Sequence, residues 1–350
     1  MYRQYLSFFG KIQKLSSKCR MKSTAAVPKL TMSDGREIPA LGLGTYLGFD
    51  KNGMVSSKDK QHRDLVLKAI DLGYRHFDTA SIYNTEDEIG EAVEMKIAER
   101  VVTREDVFVT TKLWNTQHKQ EEVASAVWDA LEKSGLDYID LYLMHWPIGL
   151  NADYSFSDVD FMETWRGLED VHKLGLVKSI GVSNFNKEQL QRLLEEGSVR
   201  PVVLQIEVHP QMIQEDLISF ARSEDITVMG YSPFGFLVER FGKQFPGPKM
   251  DDPVLMEIAL KYGKTPAQVV LRWLVDRNVI PIPKTVNPKR LKENISIFDF
   301  KLEQDEIEKI NRFNSNKRYT EPSFWQTHPH YPFEQVKDIL PDPFKGLGTI

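Results

Sequence analysis

The chain alternates short apolar runs with amphipathic segments, and this alternation limits its possible folds more than any other feature. Strand–helix alternation implies parallel strands joined by right-handed crossovers. Eight such units without a clear linker favour a closed (β/α)8 TIM barrel over an open, doubly wound sheet. The predicted strands are Leu41–Thr45, Arg75–Thr79, Val107–Lys112, Tyr138–Trp146, Ser179–Ser183, Val202–Val208, Thr227–Ser232 and Val279–Pro283. The intervening segments with helical spacing are Asp64–Leu72, Glu88–Glu99, Glu121–Ser134, Phe161–Lys173, Lys187–Glu196, Glu215–Ser223 and Thr265–Arg277.

Both ends of the barrel carry additions. The turn sequence Ser-Asp-Gly at 33–35 separates two short extended pieces, which predicts an N-terminal β-hairpin. Two more helical segments follow the last strand, near 288–295 and 303–314, and an irregular tail rich in aromatic residues begins at Asn316. We expect a barrel over 25–315 and a C-terminal loop, 316–350, that lies over the barrel mouth. Glycines at 73, 135, 175 and 197 predict left-handed helix C-caps.

Composition excludes several classes of function. The 350 residues are 41% hydrophobic and 27% charged with a net charge of −5, so neither nucleic acid nor an anionic membrane is expected as the main partner. No apolar stretch approaches the roughly 20 residues of a membrane-spanning helix. The only cysteine is Cys19, which excludes an intrachain disulfide and a Cys-ligated zinc site. We expect a monomer with a small-molecule substrate and no metal.

The first 24 residues differ from the rest of the chain. They contain six basic residues and no acidic ones, and their apolar residues fall on one side at helical spacing. One interpretation is a mitochondrial transit peptide. The other is a dispensable leader, because Met21 offers a second start just before the regular pattern, and the protein is then expected to be cytoplasmic.

Four polar residues lie at or just after the ends of three consecutive strands, where barrel enzymes place their chemistry: Asp78, Tyr83, Lys112 and His145. Each has an ordinary structural explanation by itself: a turn cap, a half-buried loop aromatic, a lysine at the rim, and a hydrogen-bonded core histidine. Consecutive strands are neighbours in a barrel, so we expect the four side chains to converge on one patch.

Together these side chains form a plausible proton donor with its tuning groups. A tyrosine is a weak acid with an ordinary pKa near 10, and a nearby ammonium would lower that pKa. An aspartate behind the lysine would keep the ammonium charged, and a neutral imidazole could orient a substrate oxygen. Carbonyl reduction needs such a donor, because the developing alkoxide must be protonated.

The segments "GYRHFDTASIYNTEDEIGEAV", "TTKLWN" and "LYLMHWP" carry these four residues in an order and spacing that resemble the catalytic tetrad of the aldo-keto reductases. The resemblance extends from residue 29 to about 335. It implies that Tyr83 is the acid, that Lys112 and Asp78 tune it, and that His145 orients the carbonyl.

The same resemblance implies NADPH as the cofactor, held over the barrel mouth without a Gly-x-Gly-x-x-Gly fingerprint. Gly42, Gly44 and Gly48 have the wrong spacing for that fingerprint and are interpreted as tight turns. The segment "IPKTVNPKRLKENI" resembles the group that clamps the adenosine 2′-phosphate, although a solvated basic helix start is the alternative. The implied cofactor residues are Gly44, Thr45, Tyr46, Asp78, Ser183, Asn184, Gln205, Tyr231, Ser232, Pro233, Lys284, Thr285, Val286, Asn287, Arg290, Glu293 and Asn294.

Aromatic residues predict an apolar substrate pocket. Its expected lining is Tyr46, Tyr83, Trp114, His145, Trp146 and Trp325. Similarity to insect members of the family makes a steroid-like ketone such as a 3-dehydroecdysteroid a hypothesis.

Two other functions stay open. One is an NADPH-binding regulatory or structural subunit with little turnover. The other is barrel hydrolysis by paired carboxylates, for which Glu207 has no evident acidic partner, while neighbouring His209 is interpreted as structural.

Overall fold

In the computed structural model, which describes residues 26–50, 53–54, 60–239 and 246–344, eight parallel strands form one sheet. A parallel bridge between Gly44 and Lys284 joins the first of these strands to the last and closes the barrel. The predicted (β/α)8 fold is therefore confirmed. The barrel strands are β3 (Leu43–Gly44), β6 (His76–Asp78), β7 (Phe108–Leu113), β8 (Ile139–Met144), β9 (Val177–Ser183), β10 (Val203–Glu207), β11 (Thr227–Tyr231) and β12 (Val279–Ile282).

Helices surround the barrel and bury their apolar faces against the strands. The helix Pro253–Tyr262, labelled α7, was not among the sequence predictions, because its composition is apolar without a clear polar face. Its boundaries do carry signals, since the side chain of Asp252 caps the first turn and Gly263 ends the helix with a positive φ. The helices are α1 (Gln61–Leu72), α2 (Glu86–Ala98), α3 (Gln120–Ser134), α4 (Phe161–Lys173), α5 (Lys187–Glu196), α6 (Glu215–Ser223), α7 (Pro253–Tyr262), α8 (Pro266–Asp276), α9 (Pro288–Ile295) and α10 (Gln304–Asn311).

The predicted hairpin closes the N-terminal end of the barrel. Strand β1 (Lys29–Thr31) pairs antiparallel with β2 (Glu37–Pro39), and Ile38 is buried among the side chains that fill the barrel interior. The hydroxyl of Ser179 on β9 donates to Asp34 at 2.6 Å and holds the turn in place. A second small pair, β4 (Phe49–Asp50) with β5 (Gly53–Met54), lies between β3 and α1 in the chain.

The tail lies at the opposite end, as predicted. Trp325 and Phe344 are buried in one cluster with Trp114 and Trp146, which follow β7 and β8 at the C-terminal ends of these strands. The C-terminal ends of these strands are thus covered by aromatic side chains of the tail. The predicted leader, residues 1–24, lies outside the described residues.

Two glycine predictions need correction. Gly42 and Gly44 are not tight turns: a Cβ at Gly42 would lie 2.5 Å from Ile282, so these glycines let β3 approach β12 where the barrel closes. Gly197 does not adopt the left-handed conformation expected of it, since its φ is −77°. A Cβ there would lie 2.8 Å from the indole nitrogen of Trp165, and close packing is the reason for the glycine.

Among the residues that the structure describes, no helix is both long and apolar enough to cross a membrane. The same part of the chain contains no group of three or more histidine, cysteine or acidic side chains arranged to hold a metal ion.

Candidate active site

A buried ion pair lies at the centre of the barrel mouth. Lys112, near the end of β7, places its Nζ 2.6 Å from Oδ1 of Asp78, which ends the neighbouring strand β6. Nζ also donates to the carbonyl oxygen of Thr79 at 2.8 Å. Both side chains are almost completely excluded from solvent. A buried charge needs such a partner, because desolvation without one costs several kcal/mol.

Tyr83 and His145 lie directly beside this pair. The Tyr83 hydroxyl is 3.4 Å from Nε2 of His145, and Lys112 Nζ lies 5.2 Å from the centroid of the Tyr83 ring. Tyr46 contacts the other side of Tyr83, with ring centroids 5.0 Å apart. The structure therefore brings together the four side chains that the sequence placed at three strand ends.

The protonation states differ in part from the sequence expectation. Burial, followed by the charge of Lys112, lowers the pKa of His145 well below its usual range, so the imidazole is neutral as expected. Burial also raises the pKa of Tyr83 well above 10, and the charge of Asp78 adds to this. The predicted lowering of the Tyr83 pKa by Lys112 is therefore wrong for the free site. The physical reason is that the negative charge of Asp78 offsets the positive charge of Lys112, which leaves burial as the largest influence on the Tyr83 pKa.

Three buried threonine hydroxyls lie beneath the ion pair, and sequence reasoning did not identify them as a unit. Thr85 Oγ1 is 2.8 Å from the hydroxyl of Thr79 and 3.0 Å from that of Thr45. Thr45 in turn donates to the carbonyl oxygen of Asp78, through its hydroxyl at 3.0 Å and its N–H at 3.1 Å. This chain holds the backbone that carries Asp78 and the lysine-binding carbonyl. Both the hydroxyl and the N–H of Thr45, one of the implied cofactor residues, are thus used in hydrogen bonds within the protein.

Polar side chains at the ends of β9, β10 and β11 form a second group beside the ion pair. Gln205 Nε2 donates to Oδ2 of Asp78 at 2.7 Å. Asn184, at a positive φ of 61°, donates to the carbonyl oxygen of His145 and to the hydroxyl of Ser183. Its own oxygen accepts from the Tyr231 hydroxyl at 2.7 Å. These four implied cofactor residues therefore lie beside the catalytic candidates.

The other implied cofactor residues follow β11 and β12. Ser232 adopts a positive φ of 48° and is half-buried, whereas Pro233 is buried. Lys284, Val286, Asn287 and Arg290 are exposed, around the start of helix α9. Thr285 and Asn294 are buried, Glu293 is half-buried, and the Asn287 side chain accepts the N–H of Lys289 as the helix cap.

The implied substrate residues form an aromatic wall. Trp114 contacts the His145 ring at 5.4 Å and Trp325 at 6.1 Å between centroids. Trp325 is only 2% exposed and also contacts Trp146. Phe344, which sequence reasoning did not single out, stacks on Trp325 at 5.7 Å. Trp325 therefore packs against both of the other indoles of the wall.

Comparison with known proteins decides the family. The model of the Aldo/keto reductase family matches residues 40–315, which is most of the chain. The chain belongs to the aldo/keto reductase family. The resemblance seen in its motifs is thereby confirmed, and the ion pair, the tyrosine and the histidine lie within the matched region.

The relatives of this aldo/keto reductase family member include insect proteins. It is 47% identical over 305 residues to aldo-keto reductase AKR2E4 of Bombyx mori, covering 87% of this chain and 98% of that protein. The crystal structure of AKR2E4 in complex with NADP matches with a TM-score of 0.85 and 46% identity, over 88% of this chain and 100% of that chain. That of aldo-keto reductase AKR2E5 complexed with NADPH matches with a TM-score of 0.88 and 42% identity, over 92% and 99%.

A vertebrate relative is similar over nearly the same span. Human aldo-keto reductase family 1 member A1 is 39% identical over 320 residues, covering 85% of this chain and 96% of that protein. The similarity to insect and vertebrate members thus includes the whole barrel.

Proposed function

We propose that this protein reduces aldehydes and ketones to alcohols with NADPH, and that Tyr83 is the general acid. The observation that carries the proposal is the buried Lys112–Asp78 pair directly beside Tyr83 and His145. An alkoxide forms at the carbonyl oxygen during reduction, and a proton donor within hydrogen-bond distance stabilises it.

Tyr83 is suited to the donor role because its raised pKa keeps the phenol protonated at neutral pH. In the proposed step the hydroxyl gives its proton to the carbonyl oxygen, which becomes the alcohol, and the phenolate takes up a proton from solvent afterwards. The ammonium of Lys112, beside the ring, offsets part of the negative charge left on the phenolate, although its pairing with Asp78 makes this effect smaller than that of burial.

His145 positions the carbonyl. Its imidazole is neutral, and Nε2 faces the Tyr83 hydroxyl, so a carbonyl oxygen that approaches one group also meets the other. Burial lowers the pKa of Lys112, the charge and hydrogen bond of Asp78 oppose this, and Gln205 in turn orients Asp78. These bonds hold the donor group before a substrate arrives, which lowers the cost of orienting the reacting atoms.

The residues at the strand ends fit a nicotinamide dinucleotide, which supplies the hydride when bound. Gln205 donates through Nε2 to Asp78 and the Ser183 hydroxyl accepts from Asn184, so a carboxamide could donate to the Gln205 oxygen and accept from the Ser183 hydroxyl. The half-buried ring of Tyr231 offers a flat surface beside them. NADP and NADPH in the related AKR2E4 and AKR2E5 structures support this assignment.

The preference for a 2′-phosphate is proposed from Arg290. This guanidinium is exposed in the first turn of helix α9 and has no ion pair among the residues that the structure describes. Exposed Lys284 precedes the same helix, and the N-terminus of a helix favours negative charge. Thr285, Val286, Asn287, Glu293 and Asn294 complete the proposed adenosine-phosphate site.

The aromatic wall favours apolar carbonyls, including steroid-like ketones, over charged sugars. Trp114 and Trp146 contact or flank His145 directly, so an apolar substituent on the carbonyl would lie against them. The contact of Trp325 with both indoles means that a bulky substrate is shaped by the tail.

The test is the consumption of NADPH by purified protein with a panel of aliphatic aldehydes, aromatic aldehydes and 3-ketosteroids. Tyr83→Phe is expected to lower kcat by about 10²–10⁴-fold, the usual contribution of a positioned acid, while the binding of NADPH is retained. Undiminished turnover in Tyr83→Phe would contradict the role of Tyr83. Binding of NADPH without turnover of any carbonyl would favour a regulatory subunit, and failure of every steroid ketone alone would remove only the steroid hypothesis.

A further inference from the structure

Glu207 is a completely buried carboxylate that the proposed reaction does not use. It ends strand β10, and three donors surround it: the backbone N–H groups of Tyr319 and Thr320 and the imidazole of His209. The Thr320 N–H is 2.6 Å from Oε2, and His209 Nε2 is 2.9 Å from Oε1. Donors of the protein itself bond to both carboxylate oxygens of Glu207, which argues against a role of this carboxylate in hydrolysis.

The hydrogen bond at Nδ1 of His209 indicates which ring nitrogen carries the hydrogen. The backbone N–H of Gln211 donates to Nδ1 of His209 at 3.2 Å, so Nδ1 is the acceptor and Nε2 carries the hydrogen that Glu207 receives. Burial by itself would raise the pKa of Glu207, but the His209 imidazole, followed by the N–H of Tyr319 and the charge of Arg318, brings it below its usual range. The carboxylate is therefore charged when it holds the tail, and such bonds are stronger than neutral ones.

The held segment, residues 318–320, is the beginning of the tail that covers the barrel mouth. The ring of Tyr319 packs against Phe236 in the loop after β11, at 5.3 Å between centroids. The guanidinium of Arg318 lies 3.6 Å above the ring of Phe333, which in turn contacts Trp146 of the aromatic wall. The segment thus connects β10 with the loop after β11 and with the substrate side of the tail.

We propose that Glu207 is a positioning residue that sets the selectivity for substrate size, because its carboxylate fixes where the tail begins. This inference rests on the proposed carbonyl reduction. In this proposal a small aldehyde needs only Tyr83 and His145, whereas a bulky one also lies against Trp146, which the tail residues Trp325 and Phe333 contact. Loss of the anchor therefore affects bulky substrates selectively.

The first experiment replaces Glu207 with glutamine, which has the same shape but carries an NH₂ group in place of one accepting oxygen. We expect KM for 2-naphthaldehyde to rise about 10-fold, the scale of one charge-assisted hydrogen bond, with the kcat/KM for propanal unchanged. Hydrogen exchange at the amides of residues 319 and 320 is expected to accelerate. An equal change for both aldehydes, or unchanged exchange at both amides, would overturn the proposal.

Glu169→Gln is the matched control. Glu169 also accepts two backbone N–H groups, those of Ser198 and Val199 at 2.6 and 2.8 Å, but it lies on α4 and holds the loop that leads into β10, away from the mouth. It is expected to lower stability without altering the ratio of the two aldehyde activities. A selectivity change as large as that of Glu207→Gln would show that general destabilisation is the cause.

A second variant tests the bond from the tail side if Glu207→Gln does not fold. Thr320→Pro removes one N–H donor and leaves Glu207 with Tyr319 and His209, and Thr320→Val keeps the N–H as its control. We expect KM for 2-naphthaldehyde to rise in the proline variant only; an equal rise in both would contradict the anchor. If the unmodified protein reduced neither aldehyde, the proposed function would fail, while the amide exchange would still decide whether Glu207 holds the tail.

Discussion

Lys112 Nζ lies 2.6 Å from Asp78 Oδ1, and the two side chains form an ion pair that solvent hardly reaches. The Asp78→Asn variant would leave the ammonium buried without its counter-charge. Breaking a buried pair in this way costs about 3–5 kcal/mol in the free energy of unfolding, whereas replacing both partners can be neutral. Urea unfolding should therefore show a large loss for Asp78→Asn and a partial recovery for Asp78→Asn combined with Lys112→Met. A single variant as stable as the unmodified protein would contradict the burial of the pair.

The dependence of the reaction rate on pH follows from the Tyr83 and His145 protonation states. In the proposed reaction, reduction needs a protonated Tyr83 phenol and a neutral His145 imidazole. The pKa of Tyr83 is raised, so the phenol keeps its proton beyond pH 10, and the pKa of His145 is lowered, so the imidazole stays neutral below pH 6.5. We expect kcat/KM for reduction to be flat between about pH 6.5 and 10, the ordinary pKa values of the two groups. A titration near neutral pH in the steady-state rates would argue against this assignment.

Arg290 is predicted to distinguish NADPH from NADH. Loss of a guanidinium–phosphate contact removes about 1.5–3 kcal/mol of binding free energy, which is roughly a 10–100-fold rise in Kd. Arg290→Ala should weaken NADPH in a fluorescence titration and leave NADH unchanged. Lys292→Ala, on the same helix α9, is the control and should affect neither cofactor. An unchanged ratio of the two affinities in Arg290→Ala would place the 2′-phosphate elsewhere.

His118 is expected to make stability depend on pH. Burial lowers the pKa of His118 to about 3, and the nearby His328 and His330 of the tail add to this. The folded state therefore binds its proton only at low pH, while the unfolded chain binds it below about 6.5. The stability that the neutral His118 contributes is fully present above about pH 6.5. As the pH falls toward 3, protonation of the unfolded chain lowers the free energy of unfolding by about 1.4 kcal/mol per pH unit. His118→Phe should make the free energy of unfolding in urea depend less steeply on pH between about pH 6 and pH 4, the window set by these pKa values. An unchanged slope would contradict the burial of a neutral imidazole.

Gly90 marks a close helix contact that no larger residue can occupy. A Cβ on Gly90 of α2 would lie 1.6 Å from the carbonyl oxygen of Ser134 at the end of α3. Gly90→Ala would force the helices apart, and overpacking of this kind costs about 1–3 kcal/mol or more. Thermal unfolding should show the loss, while Glu94→Ala at an exposed position of the same helix should not. Retention of full stability in Gly90→Ala would contradict this packing.

The barrel could be predicted because its signal is local. Runs such as Tyr138–Trp146 combine apolar composition with strand length, and the observed strand Ile139–Met144 lies inside that run. Helix α7 was missed because an apolar segment of its length has no period that separates helix from strand. The left-handed cap predicted at Gly197 was wrong because a glycine can also serve close packing, here against Trp165, and the sequence does not distinguish the two uses.

The order of residues along the chain determined the family, the barrel and the positions of Asp78, Tyr83, Lys112 and His145, since strand ends and motifs are properties of neighbours in sequence. Only the tertiary structure decided which groups pair and how they ionise. Asp78 and Lys112 are 34 residues apart, and Glu207 and Tyr319 are 112 apart, so their bonds depend on how the whole barrel closes. The raised pKa of Tyr83 is a result of the same packing. Its burial and the pairing of Lys112 with Asp78 arise only when distant strands bring these three residues together.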